Sequence, residues 1–174
     1  MTLPSRLRWL WLTLFVALLD RATKAWFESH TSGHWPKEVI HHSVYLVQGR
    51  NPGIGFGFFS DSASTFTRIL LIVGAFLVIV VLAWMLVASR TAGACACAGI
   101  ALLLGGATGN LTDRLLHGAV TDFLEVWLRF IPLRIFNPWP AFNVADSAIA
   151  IGAILILLEL FFPSRLPAGQ GVKS

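Results

Sequence analysis

The sequence predicts an all-α integral membrane protein with four transmembrane helices and a few short outer strands. The 174-residue chain is 56% hydrophobic and 13% charged, with a mean hydropathy of +0.72, whereas a soluble domain carries about 25% charged residues. No charged residue interrupts residues 69–89 or 91–112, and about 20 apolar helical residues cross a bilayer. Apolar segments at about 7–27 and 142–162 complete a single membrane domain over residues 1–174.

The first predicted span, at about 7–27, has Arg6 and Arg8 at its start and ends in a polar stretch. Its start is similar to a signal peptide, but no small-x-small cleavage sequence follows, so we interpret it as a spanning helix. Asp20 and Lys24 are four residues apart on one helical face, where they can form an ion pair or face a common cavity. The alternative is a lysine that extends to the membrane surface near a carboxylate at the helix end.

The first outer segment, at about 28–67, has a strand-like composition. Residues 39–47 are rich in β-branched and aromatic side chains, which predicts short strands. Asn51-Pro52-Gly53 is typical of a tight turn that follows such strands.

The second and third predicted spans differ in composition. Apart from Ser89, residues 69–89 lack polar side chains, which indicates a lipid-facing or supporting role. Residues 91–112 are rich in small residues, and Gly105 and Gly109 form a GxxxG pattern that allows close approach of another helix. Cys95 and Cys97 point about 200° apart on this helix, so we interpret them as buried small residues rather than disulfide or metal partners.

Polar residues cluster where the third span ends and the fourth begins. The second outer segment, at about 115–141, places an aspartate among bulky apolar neighbours between these two clusters. Charged groups at membrane depth are costly and mark functional sites. The residues concerned are Asn110, Asp113, Arg114, Asp122, Asn143 and Asp146.

Basic residues predict the orientation of the chain. With four spans, one side receives five of them and the polar clusters fall at the opposite membrane surface. Because cytoplasmic loops carry the excess of Lys and Arg, both termini are predicted to be cytoplasmic and the polar clusters to face outward. The five residues are Arg6, Arg8, Arg90, Arg165 and Lys173.

Asp122 and Asp146 are the candidates for chemistry. Two carboxylates that approach closely in apolar surroundings cannot both ionise, so they share a proton. Such a pair activates water with one carboxylate and donates a proton with the other. Asp113 beside Arg114 is better suited to a structural role, because the guanidinium favours the ionised carboxylate. The structural alternative is that Asp122 and Asp146 are only a loop charge and a helix cap.

Other functional classes are less consistent with the sequence. A channel or transporter would also contain intramembrane polar residues, but the inner halves of the spans have almost none. A lipid-binding structural protein would not require two aspartates. The chain has no GxSxG or HExxH motif, and Gly33 and Pro36 disfavour a metal-binding helix at His30 and His34. The net charge is +4, but the basic residues are scattered along the sequence, so no nucleic-acid partner is expected.

Five motifs in order resemble the lipoprotein signal peptidases, the bacterial signal peptidase II family of aspartyl enzymes. They are DRATK at 20–24, NPG at 51–53, GGATGNLTDR at 105–114, VTDF at 120–123 and FNVADS at 142–147. The resemblance implies four transmembrane helices with a small extracytoplasmic β-sheet cradle and a partly helical outer loop. It also implies an endopeptidase of the bacterial inner membrane that cleaves diacylglyceryl-modified prolipoproteins before the lipidated cysteine.

The resemblance implies that Asp122 and Asp146 are the catalytic pair. It gives the remaining motif residues binding or supporting roles; they are Asp20, Lys24, Asn51, Gly53, Asn110, Asp113, Arg114 and Asn143. It further implies contact with membrane lipids, inhibition by globomycin-type cyclic peptides, no cofactor and no catalytic metal, and we expect a monomer. One departure is Ile54, where the family usually has alanine, after Pro52 in the turn.

Overall fold

The computed structural model describes residues 3–30, 35–53, 65–88, 93–129 and 137–162. Within these ranges the chain forms helices joined to one antiparallel sheet. In chain order the elements are α1 (Leu3–Leu7), α2 (Leu10–Ser29), β1 (Lys37–Ile40), β2 (Val44–Asn51), α3 (Thr65–Ala88), α4 (Ala94–His117), β3 (Val120–Val126), β4 (Trp139–Phe142) and α5 (Val144–Phe161).

Three of the described helices, α3, α4 and α5, are long and apolar enough to cross a membrane. They make the chain a multi-pass membrane protein. The 20-residue α2 is also long enough, but four charged residues lie in its second half. It therefore falls outside the same criterion of length and composition, and its membrane crossing remains a prediction. The four residues are Asp20, Arg21, Lys24 and Glu28.

The predicted first span is divided at its start. The short α1 ends at Leu7, and α2 begins at Leu10 after a turn. Arg6 is 5% exposed, and its Nη1 donates to the carbonyl oxygen of Val87, 2.7 Å away, at the end of α3. Because the last carbonyls of a helix have no partner within that helix, this contact stabilises the α3 terminus and fixes the bend between α1 and α2.

The central helix is α4, which contacts α2, α3 and α5. Its glycines permit these contacts, as the GxxxG pattern predicts. A Cβ atom on Gly105 would lie 2.7 Å from the Val16 Cβ of α2, and one on Gly106 would lie 2.4 Å from the Ala145 carbonyl oxygen of α5. By contrast, α3 buries only Thr67 and Leu86 among its described residues, which agrees with the predicted lipid-facing role.

The helix boundaries differ from the sequence prediction at functionally important positions. Helix α4 continues to His117, past the predicted end at residue 112, and terminates at Gly118, whose φ of 77° is left-handed. Asn143 is the N-cap of α5 rather than part of its first turn. The prediction of two buried cysteines is half wrong, because Cys97 is buried but Cys95 is exposed.

The four strands form one antiparallel sheet in the order β1-β2-β3-β4. The hairpin turn between β1 and β2 lies at residues 41–43, where His42 has a φ of 54°. The predicted turn at Asn51–Gly53 instead follows the end of β2, and the Gly53 amide donates to Asn51 Oδ1 at 2.9 Å. Beyond the end of α4, the described part of the second outer segment contains strands β3 and β4. Residues 130–136 and Ile54 lie outside the described residues.

The sheet brings the polar helix ends together. Strand β3 begins three residues after α4 ends, and β4 ends one residue before the N-cap of α5. Because β3 and β4 are paired, the end of α4 and the start of α5 lie at the same end of the bundle. The polar end of α2 contacts β3 from the other side. The candidate residues from four separate segments therefore lie around β3.

Candidate active site

Asp122 lies on β3, where Val120, Thr121 and Asp122 are all buried. Its neighbour on β2 is Gly49. A Cβ atom on Gly49 would lie 2.6 Å from the Asp122 carbonyl oxygen, so the glycine allows β2 and β3 to approach at this position. The Asp122 side chain is 4% exposed and points to the cavity described below.

Asp146 lies in the first turn of α5 and belongs to a capping box with Asn143. The Asp146 amide donates to Asn143 Oδ1 at 2.9 Å, and the Asn143 amide donates to Asp146 Oδ2 at 3.2 Å. The capping contact that the structural alternative assigns to Asp146 is therefore present. Its other carboxylate oxygen, Oδ1, remains available for contacts outside α5.

The Asn143 side chain joins the two aspartates. Its Nδ2 donates to Asp122 Oδ1 at 2.8 Å, while its Oδ1 accepts from the Asp146 amide. One primary amide thus contacts a carboxylate on β3 and the backbone of the helix that carries the second carboxylate. We call Asp122 and Asp146 the aspartate pair.

Each member of the aspartate pair also has an asparagine of its own. Asn51 Nδ2 donates to Asp122 Oδ2 at 3.2 Å, from the end of β2. Asn110 Nδ2 donates to Asp146 Oδ1 at 2.8 Å, from α4. Neutral amides hold both carboxylates without neutralising them, which preserves their capacity to exchange protons.

The pKa of Asp122 is raised from 3.8 to about 6. The largest cause is burial, which disfavours the charged carboxylate, and the second is the negative charge of Asp146. Hydrogen bonds from Asn51 and Asn143 act in the opposite direction. A carboxyl group with a pKa of about 6 keeps its proton at pH values where an ordinary aspartate is ionised. Proton sharing within a pair requires this property.

The aspartate pair lines a cavity of about 460 Å³. Its polar wall consists of the pair with Asn51, Asn110, Arg114 and Ser147, and its larger wall is apolar. Pockets of this type combine apolar walls with a few convergent polar groups and bind organic ligands. The apolar lining residues are Val120, Trp139, Pro140, Ala141, Phe142, Ile149, Ala150 and Ile151.

Arg114 fixes the turn that carries Asn51. Its Nη2 donates to the Gly53 carbonyl oxygen at 2.8 Å, and its Nη1 donates to the Asn110 carbonyl oxygen at 3.2 Å. Its Nε is buried and has no hydrogen-bond partner among the described residues. Arg114 therefore links α4 to the end of β2 and presents a cationic group to the cavity wall.

Asp20, Lys24 and Asp113 lie close to the aspartate pair but do not line the cavity. We call them the buried ion group. All three have 0% exposure, and Lys24 Nζ lies 2.8 Å from Asp20 Oδ2 and 3.2 Å from Asp113 Oδ2. The predicted Asp20–Lys24 pair is present, and the alternative of a lysine extended to the membrane surface is wrong.

The structure adds residues that the sequence reasoning did not select. The Thr121 hydroxyl donates to Glu28 Oε1 at 2.9 Å, and Arg21 Nη1 lies 3.5 Å from Asp113 Oδ1. Ser147 lines the cavity beside Asp146. Each of these residues adjoins a selected motif residue in sequence or lies one helical turn from it, which is the signal that could have identified them.

Two groups of described residues have ligand atoms spaced closely enough to hold a metal ion. One comprises Glu38, His41 and His42 on an exposed hairpin; the other comprises Glu28, Asp113 and His117. Neither group includes a member of the aspartate pair. The His30–His34 pair, which the sequence disfavours as a metal site, lies partly outside the described residues, because His34 is not described.

The buried polar residues argue against a transmembrane pathway. Among the described residues, nearly all buried polar side chains lie at the sheet end of the bundle; Arg6 lies at the other end and contacts α3 carbonyl groups. A channel or transporter requires polar groups along the whole depth of the membrane. The described residues instead form a polar site at one end only.

Comparisons with known proteins find signal peptidases. The family described as signal peptidase (SPase) II matches residues 12–162. The chain is 39% identical over 163 residues to a lipoprotein signal peptidase of Pseudomonas syringae pv. tomato, with 90% of this chain and 87% of the relative covered. It is 36% identical over 160 residues to the lipoprotein signal peptidase of Blochmanniella pennsylvanica, with 91% of each covered.

Solved structures show the same fold. A bacterial membrane enzyme determined by the in meso method at 2.3 Å resolution has a TM-score of 0.77 and 26% sequence identity. The match covers 95% of this chain and 94% of that enzyme. A second bacterial membrane enzyme, at 1.9 Å resolution, has a TM-score of 0.75 at 26% identity, with 90% and 94% covered.

Proposed function

The chain belongs to the signal peptidase II family, a family of prolipoprotein-processing proteases, and from this premise we propose that Asp122 and Asp146 are its catalytic residues. The observation that carries the proposal is one side chain, Asn143, which contacts Asp122 and the backbone of Asp146 at the wall of an apolar cavity. No other pair of carboxylates among the described residues lines that cavity.

In the proposed reaction Asp122 begins protonated and Asp146 ionised. The Asp146 carboxylate takes a proton from a water molecule, whose oxygen attacks the carbonyl carbon of the scissile peptide bond. Asp122 donates its proton to the carbonyl oxygen, which gives a neutral tetrahedral diol. The diol collapses as the proton on Asp146 passes to the leaving amine and one hydroxyl proton returns to Asp122, which restores the starting state.

The cavity is consistent with a lipid-modified substrate. The diacylglyceryl group of a prolipoprotein would lie along the apolar wall that includes Phe142, Ile149 and Ile151, next to the aspartate pair. The peptide bond before the lipidated cysteine would then cross Asp122 and Asp146. Arg114, Asn51 and Gly53 would contact the substrate backbone beside this bond. A cavity of about 460 Å³ favours small residues before the cysteine.

The proposed orientation follows the basic residues of the sequence. Helix α2 would be a fourth membrane span, with both chain termini in the cytoplasm of a bacterial cell and the enzyme in its inner membrane. The sheet and the aspartate pair would then face outward. Globomycin-type cyclic peptides would occupy the same cavity as the substrate, and the protein would act as a monomer without a cofactor.

A cleavage assay tests this proposal. The purified protein in detergent would be given a diacylglyceryl-modified prolipoprotein, and the shortened product would be followed by gel shift. We expect cleavage by the native protein, and none by Asp122→Asn or Asp146→Asn. Glu125→Gln is the matched control, because Glu125 lies on the same strand and contacts Trp127 rather than the cavity.

The controls separate loss of chemistry from loss of fold. Size exclusion and thermal unfolding would establish that each variant is folded, and globomycin would establish that cleavage by the native protein occurs in the cavity. Cleavage that persists in either folded asparagine variant would exclude the aspartate pair as the catalytic group.

A further inference from the structure

The charges of the buried ion group are costly to bury. Asp20, Lys24 and Asp113 are withdrawn from solvent completely, and burying an ion pair usually costs about as much as the pair contributes. Apolar residues of similar volume often stabilise a protein as well as a buried ion pair does, or better. A function in stability alone therefore does not account for three buried charges beside the cavity.

Each carboxylate of the group holds a backbone amide next to the aspartate pair. Asp20 Oδ1 accepts from the Ala145 amide at 2.9 Å, and Ala145 immediately precedes Asp146. Asp113 Oδ2 accepts from the Thr121 amide at 2.9 Å, and Thr121 immediately precedes Asp122. The same contact thus occurs once for each member of the pair, from two different helices.

Lys24 connects the two contacts. An ammonium group has three N–H donors, and three oxygen atoms lie within 3.2 Å of Lys24 Nζ: Asp20 Oδ2, Asp113 Oδ2 and Asn110 Oδ1. The third contact orients the Asn110 amide, whose Nδ2 donates to Asp146 Oδ1. Lys24 therefore contacts both carboxylates that hold the backbone amides, and also the asparagine that donates to Asp146.

The neighbouring helix accommodates this arrangement. A Cβ atom on Gly109 of α4 would lie 2.5 Å from Asp20 Oδ2. Glycine at this position therefore leaves the space in which Asp20 reaches from α2 to the start of α5. The predicted GxxxG pattern serves two purposes, because Gly105 receives Val16 while Gly109 receives a charged side chain.

We propose that Asp20, Lys24 and Asp113 are positioning residues that set the separation of Asp122 and Asp146 through the backbone amides of Thr121 and Ala145. This inference rests on the proposed catalytic role of the pair. A strand and a helix carry the two aspartates, so no single element fixes their separation. Misplacement of reacting groups by about 1 Å can cost about a hundredfold in rate. The buried ion group supplies a rigid connection between the two elements.

Amide hydrogen exchange tests the proposal directly. We expect Asp20→Ala to accelerate exchange at the Ala145 amide by about tenfold or more, and to leave the Thr121 amide within about twofold. Asp113→Ala should give the reverse pattern, and Lys24→Met should accelerate both. Asp20→Asn and Asp113→Asn keep an acceptor oxygen, so they should restore part of the protection at their respective amides.

The matched control is Thr13→Val. The Thr13 hydroxyl donates to the Ala101 carbonyl oxygen at 3.0 Å, so it also joins α2 to α4, but away from the aspartate pair. This variant should lower the thermal unfolding temperature without changing exchange at Thr121 or Ala145. If Asp20→Ala and Asp113→Ala instead affect both amides equally, as general loosening of the bundle would, the proposal is wrong.

Kinetics complete the test. Per folded enzyme, Asp20→Ala and Asp113→Ala should lower kcat by about a hundredfold with KM within about twofold, because the residues that line the cavity are unchanged. The asparagine variants should recover part of kcat, and they replace the alanine variants if those do not fold. Unchanged kcat in every folded variant would overturn the positioning role.

The two proposals fail separately. Cleavage by folded Asp122→Asn or Asp146→Asn would refute the catalytic pair. A lost exchange pattern, or unchanged kcat, in the ion-group variants would refute the positioning role while Asp122→Asn and Asp146→Asn remained inactive.

Discussion

The two aspartates of the pair differ in what holds them. Asp146 is capped by Asn143, three residues away on the same helix, and is partly exposed. Asp122 is 4% exposed and depends on Asn51 and Asn143, which are 71 and 21 residues distant in sequence. Asp146 therefore has a local contact in addition to its long-range contact with Asn110, whereas both described side-chain contacts of Asp122 come from distant segments.

This difference suits the two aspartates to different roles in the proposed reaction. The buried aspartate has the raised pKa, of about 6, and is suited to carry the proton. The aspartate at the helix start has more access to solvent and is suited to activate water. In other enzymes, too, two carboxyl groups have different functions because their surroundings differ.

The largest effect should come from breaking the contact that the two aspartates share. Asn143→Ala removes the donor to Asp122 and the cap of the helix that carries Asp146. We expect kcat to fall by about 10²–10³-fold, as for the loss of a donor aimed at a charged centre. A folded Asn143→Ala enzyme with kcat within tenfold of native would contradict the shared role; steady-state cleavage kinetics provide the measurement.

A smaller effect should distinguish the two individual asparagines. Asn51→Ala removes a donor to Asp122, and Asn110→Ala removes a donor to Asp146. Each should lower kcat by about 10–100-fold. Asn110→Ala should also lower the unfolding temperature more, because it removes an acceptor of the buried Lys24. Kinetics and thermal unfolding of the two variants, side by side, check this order.

The pH dependence should follow Asp122. Its pKa of about 6 means that the pair loses its shared proton as the pH rises above about 6, so kcat/KM should decline on the alkaline side. Asn51→Ala removes a hydrogen bond that lowers the pKa of Asp122, so its alkaline limb should move to higher pH. If the alkaline limb of the pH profile does not move in Asn51→Ala, a group other than Asp122 causes that limb.

The smallest effect concerns stability, and its sign is opposite to that on activity. The folded pKa of Asp122, about 6, lies above the ordinary 3.8. The stability associated with protonated Asp122 is therefore present below about pH 3.8 and is lost as the pH rises through about 6. At pH 7 the ionised carboxylate is destabilising, by at most about 3 kcal/mol for a shift of about two units.

Asp122→Asn should accordingly unfold at a higher temperature than the native protein at pH 7, and the difference should shrink toward pH 4. Glu125→Gln, on the same strand, should show no such pH-dependent gain. Thermal unfolding in detergent at the two pH values measures this. A variant that is less stable than the native protein at both values would show that burial of Asp122 is not the cause of its raised pKa.

The sequence by itself determined the local features. Composition and uninterrupted apolar stretches identified α3, α4 and α5, because a helix that faces lipid must be apolar over its length. The spacing of Asp20 and Lys24 indicated their ion pair, and the capping contact of Asn143 with Asp146 is equally local. These contacts join residues three or four apart, so backbone geometry alone brings them together.

The tertiary structure decided the remaining features. The β2–β3 register places Gly49 against Asp122, and the assembled bundle brings Asn143 to Asp122 and Asp20 to the Ala145 amide. These contacts cannot be deduced from spacing in the sequence, since they join segments separated by 21 to 125 residues. They form only when the helices and sheet are assembled, because side-chain direction across separate elements depends on how those elements contact one another.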